Sequence, residues 1–216
     1  MAKETLDIVI AGLGSQPLAF ACFVLARMAQ NKGLDVHILE PEDTACKAVA
    51  HVRIAKKADR KPIAQGEADV LVGLEPIDAI KALPYLKKTG IALINGPDDL
   101  SNERLSSAFP DVEKPLSLLE GYQIEHRDTL TLSRKLGSPM ALVTALLGML
   151  SKHLPFTAYD WQHAIGSSVP RKTLAVNLDA FLEGRGDTAD EPESGKRSLL
   201  DQSETKKDDE CFETTM

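Results

Sequence analysis

The chain has 216 residues, 43% of them hydrophobic but only 5% aromatic, enough for one sizeable domain with an aliphatic core. Of its net charge of −7, residues 185–216 carry −5 (ten acidic, five basic), so the body is nearly neutral and lacks the basic footprint of a nucleic-acid binder. Cys22, Cys46 and Cys211 stand alone without a CxxC pair, which argues against a disulfide framework or zinc knuckle and excludes an iron–sulfur cluster held by this chain.

The start, MAKETLD, is polar and reads as no signal peptide. The isolated thiols read as those of a cytosolic protein, and no apolar run reaches the ~18–20 residues needed to cross a bilayer. Residues 6–11 read as a short buried strand. A helix capped by Ser15 or Gln16 follows, with Pro17 in its first turn, and Gly33 stops it after about Asn31. Residues 35–40 form a second strand, and the crossover helix between the two predicts a parallel pair.

Residues 49–54 alternate, with Val49, His51 and Arg53 on one face and Ala50, Val52 and Ile54 on the other. The cluster KKADRKP then ends the strand with charge. A second βαβ-like unit follows: a strand at 69–74, a helix at 76–87 and a strand at 91–95 closed by Gly96-Pro97. Helices are expected at 123–136, 139–153, 158–166 and 174–183, so the sheet should be complete by about residue 120. From Arg185 the periodicity ends, and the polar remainder reads as a disordered acidic tail. Two parts result: a domain over 1–184 and a tail over 185–216.

The stretch AGLGSQP at 11–17 places two glycines between a strand and a helix. The bland reading is a tight turn; the functional one is an anion cradle built from free N–H groups at the helix start. Pro17 occupies the place of a third fingerprint glycine and removes one donor, which handicaps a dinucleotide site. Glu40 is the candidate for a ribose-binding acid. His51 and Arg53 read as a solvated or hydrogen-bonded surface pair. His126, His153 and His163 fall on different elements and offer no metal set. Ser167 and Ser168 lack a base and a G-x-S-x-G elbow. No catalytic residue and no metal ligand is assigned.

The segment PMALVTALLGML at 139–150 is apolar nearly all round and must be enclosed on every side. The cover is either the later helices at 158–183 or a partner chain, with Gly148, Ala141 and Ala145 permitting close approach.

Four collinear segments carry a resemblance: IVIAGLGSQ at 8–16, AVAHVRIA at 48–55, the stretch 66–95 with Glu75-Pro76 after ADVLVGL, and KLGSPMALVTALLGML with VNLDAFLEGR within 135–185. Together they resemble the gamma-type domain of 2-oxoacid:ferredoxin oxidoreductases, most closely the small subunit of the indolepyruvate members. The resemblance implies a three-layer α/β/α, Rossmann-like fold with a mainly parallel sheet and a helical C-terminal part. It implies a hetero-oligomer in which this chain supports oxidative decarboxylation of an arylpyruvate to its acyl-CoA by a large subunit. Thiamine diphosphate, 4Fe–4S clusters and coenzyme A belong to the complex, none to this chain alone. Ferredoxin is reached through the complex, and neither nucleic acid nor membrane is a partner.

The ligand turn so implied comprises Gly12, Gly14, Ser15 and Gln16. Gly12, Gly14 and Gln16 match the family pattern, whereas Ser15 and Pro17 replace glycines. Lys47 and Ala48 stand where the family carries Arg and Gly, and Lys lacks the bidentate fork of Arg. These departures keep a second reading open: a divergent scaffolding or regulatory subunit of another redox complex without 2-oxoacid chemistry. A free-standing NAD(P)-binding domain is a third, which Pro17 opposes.

Overall fold

A computed structural model describes residues 5–12, 15–39, 48–96, 107 and 115–187. The expected tail beyond residue 187 lies outside these. Six strands form one sheet: β1 (Thr5–Gly12), β2 (Asp35–Leu39), β3 (Ala48–Ala55), β4 (Ala68–Gly73), β5 (Leu86–Asn95) and β6 (Gln123–Arg127). The helices are α1 (Ser15–Asn31), α2 (Pro76–Ala82), α3 (Thr129–Lys135), α4 (Met140–Ser151), α5 (Ala158–Gly166) and α6 (Leu174–Arg185). Three-residue 3-10 turns at Leu83–Tyr85 and Arg171–Thr173 and a longer one at Pro115–Leu119 complete the described elements.

The strand order is β2-β3-β1-β4-β5-β6. The pairs β1–β4, β4–β5 and β5–β6 are parallel, while β3 lies antiparallel to both β1 and β2. The sheet is therefore mainly parallel, as expected, with one reversed strand. One expectation fails here: β1 and β2 run the same way but do not pair, because β3 is inserted between them. Burial explains the choice. Ala50, Val52 and Ile54 of β3 are fully enclosed, whereas the shorter β2 is only half-buried and takes the edge.

Helix α1 ends as the sequence predicts. Gly33, at φ 65°, follows the last turn, and the N–H groups of Gly33 and Leu34 donate to the carbonyls of Gln30 and Ala29. This is the paired C-terminal arrangement that a glycine in the left-handed region permits. The helix expected at 76–87 instead stops at Ala82. Pro84 cannot donate within a helix, so the chain takes a 3-10 turn and β5 begins at Leu86, five residues earlier than expected.

The predicted helix at 123–136 is also split. Its first five residues form the edge strand β6, parallel to β5, and a helix starts only after Asp128, whose carboxylate accepts the N–H of Thr131 at 2.9 Å. The segment QIEHR has one apolar side chain and no periodicity to announce a strand. Its pairing with the buried β5 holds it there.

Two cores flank the sheet. On one face α1, α4, α5 and α6 cover Ile8, Ile10, Val52, Val72 and Leu93, with Trp161 stacked on Phe181. On the other, α2, the 3-10 turn after it, Ile63 and Leu119 cover Val9, Leu71, Ala92 and Ile94. The result is the expected three-layer α/β/α arrangement.

Helix α4 is enclosed from Val143 to Ser151, with Leu146 and Leu147 at 0% and 1% exposure, while Met140 and Leu142 in its first turn are half-buried. Its cover is the chain's own α6. A Cβ on Gly148 would lie 2.2 Å from the Phe181 carbonyl oxygen, and one on Gly184 would lie 1.9 Å from that of Ala145. The small residues thus bring two helices of one chain together, and no surface of α4 is left for a partner at Leu147. Within the seam Thr144 Oγ1 donates to Asn177 Oδ1 at 2.8 Å, and Asn177 Nδ2 donates to the Thr173 carbonyl at 2.8 Å. No helix among the described residues is long and apolar enough to cross a membrane.

Candidate functional site

The sheet has a switch point. From β1 the chain turns into α1 on one face, and from the neighbouring β4 it turns into α2 on the other. Open α/β sheets bind ligands outside the carboxyl ends of strands where successive crossovers diverge in this way. Here that place lies between the end of β1 at Gly12 and the end of β4 at Gly73.

The two strand ends are locked together. Leu74 N–H donates to the Ala11 carbonyl at 2.7 Å, and the buried Leu74 side chain packs over Gly12. A Cβ on Gly12 would lie 2.5 Å from Leu74 Cβ, so glycine is required there by close approach. Gly14 lies outside the described residues. Ser15 and Gln16 are the first two residues of α1 and not its cap, contrary to the sequence reading, and Pro17 is the third. The first four N–H groups of a helix have no intrahelical acceptor, so proline at that position removes no helix bond. The first turn of α1 carries no acidic residue, leaving the positive end of its dipole available to an anion.

Asn95, buried at the end of β5, ties the adjoining elements. Its Nδ2 donates to the Leu74 carbonyl at 3.0 Å, while its Oδ1 accepts the Thr129 N–H at 3.1 Å and the Thr129 hydroxyl at 2.7 Å. One side chain thereby fixes the ends of β4, β5 and the start of α3. In the first turn of α2, burial pushes the Asp78 carboxyl above its ordinary range, with Lys81 acting the other way. The polar residue closing the apolar run IALIN was the one sequence signal for Asn95.

At the opposite end of the sheet, charge runs across four neighbouring strands. Arg53 Nε donates to Asp7 Oδ1 at 2.6 Å, Asp7 N–H to Asp69 Oδ2 at 2.9 Å, and Lys87 Nζ to Asp69 Oδ1 at 2.7 Å. Of the two forms expected for His51 and Arg53, the hydrogen-bonded one holds for each residue, but Arg53 is buried with Asp7 and not at the surface. The Asp7 hydrogen bond holds the guanidinium above its usual range, against the effect of burial. His51 Nδ1 accepts the Ile63 N–H at 3.0 Å.

The remaining histidines do not converge, and among the described residues no group of three or more His, Cys, Asp or Glu side chains is placed to hold a metal. The hydroxyls of Ser167 and Ser168 donate to the carbonyls of His163 and Ala164, closing α5. Glu40, Lys47 and the side chain of Ala48 lie outside the described residues.

Topology and switch point define an open, doubly wound α/β domain. Residues 7–186 match the pyruvate ferredoxin/flavodoxin oxidoreductase family, and the chain belongs to that family. It is 28% identical over 189 residues to the indolepyruvate oxidoreductase subunit IorB of Thermococcus kodakarensis, covering 82% of this chain and 93% of that one. The IorB of Pyrococcus horikoshii is 27% identical over 186 residues, covering 81% and 92%.

Among solved structures, the keto/oxoacid ferredoxin oxidoreductase gamma subunit from Geobacter sulfurreducens superposes with a TM-score of 0.63 at 19% identity, over 84% of this chain and 97% of that one. A 2-oxoglutarate:ferredoxin oxidoreductase from Magnetococcus marinus gives 0.65 at 18% identity over 85% of this chain, which spans 31% of that longer chain. These likenesses bear out the fold. Family and collinear match place the chain among the small subunits of 2-oxoacid:ferredoxin oxidoreductases, part of a multi-subunit enzyme.

Proposed function

We propose that the chain is the non-catalytic small subunit of a cytoplasmic arylpyruvate-oxidising complex, with indolepyruvate in the substrate class. The observation that carries the reading is the unbroken family match over residues 7–186, which takes in the whole described sheet and its helices. In that complex thiamine diphosphate supplies the decarboxylation chemistry, 4Fe–4S clusters carry two electrons towards ferredoxin, and coenzyme A takes the acyl group.

The donor set of this chain does not fit a cluster. A 4Fe–4S cluster takes four thiolates, and the 216 residues contain three cysteines, of which Cys22 is buried in the core. The clusters are therefore assigned to the large partner subunit, and thiamine diphosphate is assigned there on the family resemblance. The present chain contributes a rigid platform, with Asn95 and the Gly12–Leu74 contact fixing the strand ends and the start of α1 presenting backbone donors. Residues 1–184 make that platform, and 185–216 are an appended acidic segment. The turn at Gly12, Gly14, Ser15 and Gln16 remains the proposed contact to a ligand or to the partner.

Purification of the tagged full chain from its native host tests this. The expected result is co-purification of a larger chain, thiamine and iron, with CoA-dependent reduction of ferredoxin by indolepyruvate. Ser15, Pro17, Lys47 and Ala48 depart from the family pattern and favour the second reading, a scaffolding or regulatory subunit of another redox complex. A stable complex that contains iron yet oxidises no 2-oxoacid would establish that second reading instead.

A further inference from the structure

Segment 56–67 joins β3 to β4 and places Ile63 in the core on the α2 side of the sheet. Four hydrogen bonds pin it to the rest of the chain, and two more lie within it. Ala58 N–H donates to Asp35 Oδ2 at 3.0 Å, Arg53 Nη1 to the Lys61 carbonyl at 3.2 Å, and Ile63 N–H to His51 Nδ1 at 3.0 Å. The Ala64 and Glu67 N–H groups bond within the segment, to Glu67 Oε2 and the Ala64 carbonyl, and Gly66 N–H donates to the Pro84 carbonyl at 2.9 Å. The side chain of Ile63, 1% exposed, plugs the core beside this row, while Lys56, Lys57, Arg60 and Lys61 stand in solvent.

Among these fastenings the one to His51 depends on the protonation state of an imidazole. Accepting at Nδ1 requires the neutral ring with its proton on Nε2. A second proton would set one N–H against another and convert the acceptor into a repulsive contact. It would also put a cation beside Arg53, on the same face of β3 two residues away. The charged and titratable groups around the ring are few. Arg53 comes from its own strand, Tyr85 meets the ring edge-on at 5.0 Å from the 3-10 turn, and Asp7, Asp59 and Glu67 reach it only through Arg53. No carboxylate among these bonds the imidazole directly, so none of these described groups stabilises its cation.

We propose that His51 is a pH-operated latch that holds segment 56–67 against the sheet and lets it loosen when the ring is protonated. Release frees the backbone at Ile63 and changes how exposed Lys56, Lys57, Arg60 and the Lys61–Asp59 pair are displayed. Burial, reinforced by Arg53 and only partly offset by the Ile63 bond, keeps the ring below the ordinary histidine range. The latch is therefore closed at neutral pH and opens on acidification below the ordinary histidine range.

The test uses the full chain, with amide exchange and nitrogen–proton NMR between pH 7.5 and 5. The His51 ring should titrate below about 6.5. Over the same midpoint the Lys61–Ala64 amides should shift, and Ile63 protection, corrected for intrinsic exchange, should fall about tenfold while Val52 and Leu71 keep theirs. His51→Asn offers an acceptor without a proton and should abolish the step. Flat Ile63 protection through the His51 titration, or an unchanged step in His51→Asn, overturns the latch. If that variant fails to fold, the wild-type curve still decides, since a step at Ile63 with a midpoint other than that of the ring refutes it equally.

Discussion

Gly184→Ala sets two opposing effects against each other, and the structure decides the sign. In the middle of an exposed helix, alanine stabilises relative to glycine by about 1 kcal/mol. At Gly184 the new Cβ would stand 1.9 Å from the Ala145 carbonyl oxygen, 2.5 Å from its carbon and 2.6 Å from Ala145 Cα. Ordinary contact begins near 3.4 Å, so α6 would have to retreat from α4 by roughly 1.5 Å. The obstacle is helix backbone, which no rotamer change relieves. Retreat also loosens Phe181, fully buried against Trp161, and stretches the Thr144–Asn177 bond. Overpacking of this kind costs about 1–3 kcal/mol or more.

A net loss of roughly 2 kcal/mol follows, which lowers the urea midpoint by about 1 M for a protein of this size. Gly166→Ala is the internal control. Its Cβ would meet only Leu174 Cδ1 at 3.5 Å, an ordinary contact, so a gain of about 0.5 kcal/mol is expected. Equilibrium urea unfolding of the two variants and wild type reads both signs. If Gly184→Ala matched or exceeded wild type, the close α4–α6 seam would be wrong.

Three further substitutions probe the polar contacts. Asn95→Ala strands the Leu74 carbonyl and the Thr129 donors in a buried site and should cost about 2–4 kcal/mol in urea unfolding; a loss under ~0.5 would show that water replaces the amide. Arg53→Met leaves buried Asp7 without its cation and should cost about 3–5 kcal/mol, most of it recovered in Arg53→Met/Asp7→Leu; equal losses in the single and double variants would refute the pairing. For Asp160, burial raises the carboxyl, but bonds from Lys32 and Thr157 outweigh it and hold the group below its ordinary range. Its stabilising contribution is thus present above the unfolded value near 4 and lost as pH falls through the lower folded value. Asp160→Asn should flatten that acid limb in thermal melts from pH 6 to 3, and an unchanged limb would remove Asp160 from the account.

Elements whose stability is local were legible in the chain itself. The 1-to-31 stretch shows it: an apolar β-branched run, a helix-length pattern and Gly33 are enough to define β1 and α1, because each signal acts within a few residues. Helix α5 follows equally from Thr157 and Asp160, whose reciprocal capping bonds lie three residues apart. The family resemblance was legible too, since its segments are collinear.

Other features depend on residues distant in sequence. Nothing in VAHVRIA states that it will separate β1 from β2; that follows from which strand can be buried on both faces. QIEHR becomes a strand only because β5 offers it an edge. The apolar helix α4 could be closed by a partner or by its own chain, and only the fit of Gly148 and Gly184 across the α4–α6 seam selects the latter. The candidate site divides in the same way. Its glycine turn is a local signal, while the Asn95 tie and the Asp7–Arg53 pair join residues 34 and 46 positions apart, and tertiary packing alone decides that they meet.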